Sequence, residues 1–117
     1  MTEPVANRVA AIQMVSTHDI GANLDEARRL LAEAAAQGAS VAGLPENFAI
    51  LATRQMPECG RREAGPDPQI RAFLSEQARA LGLWIVGGSM PLAQRPDGSD
   101  IADRVRATCL VFDDQGR

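Results

Sequence analysis

Twice in this chain an amphipathic helical pattern closes on a glycine and runs at once into a short apolar stretch that does not alternate. In the first unit Leu24, Ala27, Leu30, Leu31, Ala34 and Ala35 recur at helical spacing, with Asp25, Arg28, Arg29 and Glu33 on the wet face. Gly38 then supplies a left-handed residue at the helix end, and Val41 to Leu44 follows. In the second unit Ile70, Phe73, Leu74, Ala78 and Leu81 form the stripe, Gly82 ends it, and the run from Trp84 begins. Apolar runs without a period of two suit strands covered on both faces of a mostly parallel sheet. Parallel strands joined through helices cross over in the right-handed sense, which sets both helices on one face.

The remaining elements attach to this frame. Arg8 to Ser16 is apolar on both sides, with Val9, Ala11 and Val15 opposite Ala10, Ile12 and Met14, and is predicted as a buried strand. The only histidine, His18, lies in the following loop and reads as solvated. Asn23 with Glu26 resembles a capping box at the start of a helix over Asn23 to Gln37. Ala52 to Gly65 mixes charge, glycine and proline without a period and is predicted as a long surface loop. For the second helix, Asp67 to Leu81, Asp67 is the expected cap and Pro68 the first helical residue. Trp84 to Leu92 is predicted as a third strand, in which Gly87 and Gly88 mark a close approach that reads as packing. Arg104 to Phe112 is a fourth strand, antiparallel to the third, and Asp113 to Arg117 a hairpin turn. The order is βαβαββ.

Composition removes several classes of function. With 117 residues, 45% of them hydrophobic, the chain holds one small domain. The net charge is −3, and the 12 basic residues are scattered arginines accompanied by 3 phenylalanines and 1 tryptophan, which is no nucleic-acid footprint. Met1 to Asn7 has no apolar leader segment, and no later run approaches the roughly 20 apolar residues of a membrane span. With 2 cysteines and no metal-ligand spacing, a cytoplasmic protein without metal or cofactor is expected. The absence of lysine excludes a phosphate-binding P-loop and any catalytic lysine within these residues. A nucleotide-binding doubly wound domain is disfavoured because STHDIGAN, after the first strand, lacks GxGxxG.

One carboxylate stands out. In VAGLPENFAIL, Pro45 cannot donate to a sheet ladder, so the strand stops and Glu46 emerges at its carboxyl end, where sites form in open α/β sheets. Phe48, Ile50 and Leu51 make the following loop apolar, so poor hydration of Glu46 is expected to favour a general base. Cys59, in PECG, has no base beside it in sequence and reads as a plain loop cysteine.

Taken together, AAIQMVST, ANLDEARRLLAEAAAQGA, GLPENF, ARALGLWIVGG and LVFDDQGR resemble the nitrilase, or carbon-nitrogen hydrolase, superfamily, in its order and spacing. QMVST, LPENFA and GLWIVGG are most similar to the branch of deaminated glutathione amidases and omega-amidases. The resemblance implies the amino-terminal part of an αββα sandwich, with a mixed sheet and helices on one face, so residues 1–117 are expected to be a partial domain. It further implies a Glu, Lys and Cys triad that hydrolyses non-peptide C–N bonds of small amides through a thioester. Glu46 matches the family's general base, while Cys59 and Cys109 lie in other contexts and inherit no role. Homo-oligomerisation of the full-length protein is also implied. The rival expectation is a binding or subunit-interaction module that keeps the fold without catalysis.

Overall fold

The computed structural model describes residues 7–117, so the polar start read as lacking a leader lies outside it apart from Asn7. The elements are β1 (Val9–Ala11), α1 (Ile20–Ala36), β2 (Val41–Gly43), α2 (Met56–Ala64), α3 (Gln69–Leu81), β3 (Trp84–Val86), β4 (Met90–Leu92), β5 (Arg106–Thr108) and β6 (Val111–Phe112). Strands β1, β2 and β3 run parallel, and β6 closes the sheet antiparallel to β3, giving the order β1-β2-β3-β6. A separate antiparallel pair joins β4 to β5. The fold is therefore α/β with a mixed sheet.

The two expected β-strands at the carboxyl end are each divided. Gly88 has φ +60, a left-handed conformation that interrupts an extended strand, so Trp84 to Leu92 becomes β3 and β4. Its partner bends in step between β5 and β6, and Gly87 N–H donates to Leu110 O at 2.8 Å across the bend. Helix α2 corrects the expected surface loop over Ala52 to Gly65. Its inward positions are Cys59, Gly60 and Glu63, a glycine and a carboxylate where a helical stripe is normally apolar, and this hides the period. Gly60 is needed for the packing, since a Cβ there would meet Val105 Cγ1 at 2.3 Å and Ala93 N at 3.2 Å.

Both helix starts also differ from expectation. α1 begins at Ile20, and Asp19 is its cap, accepting from Ala22 N–H at 3.0 Å. Asn23 is thus inside the helix. α3 begins at Gln69, and the buried Glu63 replaces Asp67 as its cap, with its carboxylate oxygens accepting from Ile70 N–H at 2.8 Å and Arg71 N–H at 2.9 Å. Two charge-assisted bonds at a helix amino terminus satisfy this buried carboxylate. The Arg71 guanidinium donates back to the Glu63 carbonyl.

The core lies on one side of the sheet. Leu24, Ala27 and Leu31 of α1 and Ile70, Phe73, Leu74 and Ala78 of α3 pack over Ala42 and Ile85. The opposite side is open among the described residues. Register aligns Val9, Val41 and Trp84 in one row and Ala11, Gly43, Val86 and Val111 in the next. Val9 is 66%, Trp84 47% and Val111 54% exposed. The strands expected to be buried on both faces are covered on one, because both helices cross on the same side.

Candidate active site

The ladder of β2 ends as Leu44 N–H donates to Val86 O at 2.9 Å, after which Pro45 offers no donor. The chain turns at Glu46 and Asn47, and Asn47 takes φ +52, left-handed for a non-glycine residue. Phe48, Ala49 and Ile50 then plunge into the core, each at most 1% exposed. Glu46 goes the other way. Its side chain is exposed at the carboxyl end of the parallel sheet, which corrects the expectation that Phe48, Ile50 and Leu51 shield it from water. Phe48 and Ile50 turn inward, and Leu51 is itself 56% exposed.

The loop behind Glu46 is held at several points. Asn47 N–H donates to Ser89 Oγ at 3.0 Å, and Ser16 Oγ donates to Phe48 O at 2.7 Å. Asn23 Nδ2 donates to both Ala49 O and Thr17 O at 2.8 Å, while its Oδ1 accepts from Thr17 N–H at 3.0 Å. Leu51 N–H completes the tie to Thr17 O at 2.9 Å. Pro45 rests on Gly88, where a Cβ would lie 2.0 Å from the Pro45 carbonyl oxygen. The close approach read from Gly87 and Gly88 is thus packing: Gly87 lies against Leu110 O and the Leu74 side chain, and Gly88 against the Pro45 backbone, where it seats the loop that presents Glu46.

Sequence reasoning missed Asn23 as part of this support. Its side chain is 3% exposed and fully engaged. The signal was present, because Asn23 falls on the apolar stripe of α1 with Ala27, Leu31 and Ala34, where an amide needs buried partners.

An open hollow of about 600 Å³ lies beside the strand end, lined by Ile12, Gln13, Met14, Val15, Glu26 and Pro45. Its one carboxylate is committed elsewhere, since the Arg29 guanidinium hydrogen-bonds Glu26 and holds its pKa below the ordinary range. His18 is exposed. Cys59 is buried against α2's own charges. Desolvation first, and then the negative charge of Glu63, push its thiol up to about 11, so it is a poor nucleophile near neutrality. Cys109 is exposed on the far strand pair's connection to β6. Among the described residues no cluster of three His, Cys, Asp or Glu side chains could hold a metal ion. No helix among them is long and apolar enough to cross a membrane. What the site supplies is one outward carboxylate on a rigidly supported turn.

Comparison with known proteins gives this geometry its context. The family model described as carbon-nitrogen hydrolase matches residues 8–117. An omega-amidase of Danio rerio is 36% identical over 110 residues, covering 93% of this chain and 36% of the relative. The human omega-amidase is 31% identical over the same shares of both chains. The chain thus spans about a third of the length of these relatives. Among solved structures, an amidase from Nesterenkonia sp. AN1 superposes with a TM-score of 0.72 at 26% identity, covering 95% of this chain and 41% of that one. That structure is a glutamate-to-glutamine mutant in which acrylamide has added to the active-site cysteine.

Proposed function

The chain belongs to the carbon-nitrogen hydrolase family, and from that membership we propose that it forms the amino-terminal part of an amidase for small carboxamides, with Glu46 as general base. The observation that carries the proposal is the placement of Glu46 at the carboxyl end of β2, turned outward on a loop whose neighbours are fixed on both sides. A base must hold its position more than it must be buried before its partners are in place.

In the proposed reaction Glu46 takes the proton of a cysteine thiol, and the thiolate adds to the carboxamide carbon. Glu46 returns the proton to nitrogen as the C–N bond breaks, ammonia leaves, and a thioester remains. Glu46 then takes a proton from water, whose oxygen adds to the thioester carbonyl. The C–S bond breaks, and the proton returns to sulfur to give the carboxylic acid and the free thiol. These residues contain no lysine, Cys59 is buried as the thiol, and Cys109 sits on the connection between β5 and β6, outside the context in which the family's nucleophile lies. The nucleophile and the cation that stabilises the oxyanion are therefore assigned to the remainder of the protein. Replacing Glu46 by Gln in the full chain and measuring amide hydrolysis tests the assignment.

A further inference from the structure

Glu46 is exposed and its side chain makes no hydrogen bond or ion pair among the described residues, so what the fold holds is its backbone, and two contacts fix that backbone on either side of it. Before Glu46, the Pro45 carbonyl sits against Gly88, where no Cβ fits. After it, Asn47 N–H donates to Ser89 Oγ at 3.0 Å. Gly88 and Ser89 are consecutive, so one short segment between β3 and β4 grips the turn at both ends. The Asn47 amide belongs to the peptide plane that begins at the Glu46 carbonyl. Fixing it therefore fixes the ψ of Glu46. Asn47 also occupies φ +52, a conformation that costs energy for a non-glycine residue and persists where its surroundings enforce it.

We propose that Ser89 is a positioning residue for Glu46, its hydroxyl holding the Glu46–Asn47 peptide plane so that the carboxylate meets the reacting atoms. This inference rests on Glu46 acting as the base. Ser16 and Asn23 bond the Phe48 and Ala49 carbonyls further along and fix the loop's far end rather than the plane next to Glu46. Small errors in placing a catalytic group are costly, since a displacement of about 1 Å can lower a rate roughly 100-fold.

The test uses the full chain with a small carboxamide substrate. Ser89→Ala is expected to lower kcat about tenfold while KM changes less than about twofold, because the substrate is bound by other groups. Ser89→Thr, which keeps the hydroxyl, restores most of the rate. In a Glu46→Gln background, assayed at high enzyme concentration over long incubation, Ser89→Ala is expected to bring no further loss, because its effect passes through the carboxylate. Where Ser89→Ala folds poorly, Ser89→Cys keeps a γ atom at the position but makes it a larger, weak acceptor, and is expected to show the same loss. A normal kcat in Ser89→Ala or Ser89→Cys, or an equal loss with and without Glu46, overturns the role of Ser89. A near-normal kcat in Glu46→Gln instead removes the reading of Glu46 as base, and Ser89's role falls with it.

Discussion

Asn23 Nδ2 donates to the carbonyl of Ala49 at 2.8 Å, joining the first turns of α1 to the loop after Glu46 across 26 positions of sequence. The same amide also serves both backbone groups of Thr17. Truncating it leaves buried donors and acceptors without partners, each costing on the order of 1–3 kcal/mol. Asn23→Ala in the full chain is expected to lose about 2–4 kcal/mol of unfolding free energy. Urea denaturation with an unchanged midpoint would show that water replaces the amide without loss.

Gly88 gives a second prediction. A Cβ at this position meets backbone at 2.0 Å, and φ is +60, so Gly88→Ala must move the Pro45 carbonyl or the strand end. Gly98 has φ +89 but nothing within 4 Å of a built Cβ. Gly98→Ala is expected to cost only the left-handed penalty of about 1–2 kcal/mol, and Gly88→Ala several kcal/mol with loss of soluble protein. Equal melting temperatures for the two variants would remove the close approach as the reason for glycine at 88.

A third prediction concerns the thiols. Burial holds the Cys59 pKa at about 11, above its ordinary 9.0, so the folded state favours the neutral thiol. The unfolded chain ionises first as pH rises, and the stability linked to Cys59 is present below pH 9 and lost between about 9 and 11. Cys59→Ala should flatten the pH dependence of stability in that window. Brief alkylation at pH 8 followed by peptide mass analysis should label the exposed Cys109 well before Cys59. Comparable labelling of both would contradict the burial argument.

The open side of the sheet carries a fourth. Val9, Trp84, Val86 and Val111 form an exposed apolar surface on registered strands, and such surfaces drive association. Residues 8–117 expressed alone are expected to self-associate, and Trp84→Arg with Val111→Arg to raise the monomer fraction in sedimentation velocity. A stable monomer of the unaltered segment would show that this face tolerates water.

Which features were legible follows from where their signals lie. The α1 and α3 stripes, Gly38 and Gly82 at the helix ends, and the apolar Val41 to Leu44 run each carry a local signal, and the parallel order of β1, β2 and β3 follows from them. Glu46 was visible because proline ends the strand just before it. α2 was not, because Gly60 and Glu63 occupy its inward face for reasons that exist only in three dimensions: Val105 leaves no room for a side chain at 60, and the amides of Ile70 and Arg71 await a carboxylate at 63. Asn23 and Asp67 misled because short polar side chains before a stripe look alike as caps. Which one caps depends on where the chain enters the helix, and here Asp19 takes that place for α1, while Pro68 stands at the entry to α3 and the Glu63 carboxylate reaches its first amides from α2. The exposure of Glu46 was hidden because sequence alone does not show that Phe48 and Ile50 turn away from it.

The most direct test of Glu46 as general base is the steady-state rate of small-carboxamide hydrolysis by the full chain carrying Glu46→Gln, set against the unaltered protein. The exchange keeps size and removes the proton acceptor from an exposed side chain that makes no hydrogen bond or ion pair among the described residues, so folding and KM should be preserved. The account predicts a fall in kcat of roughly 100-fold or more, the scale of a lost general base, whereas a kcat within about threefold of the unaltered protein's would contradict it.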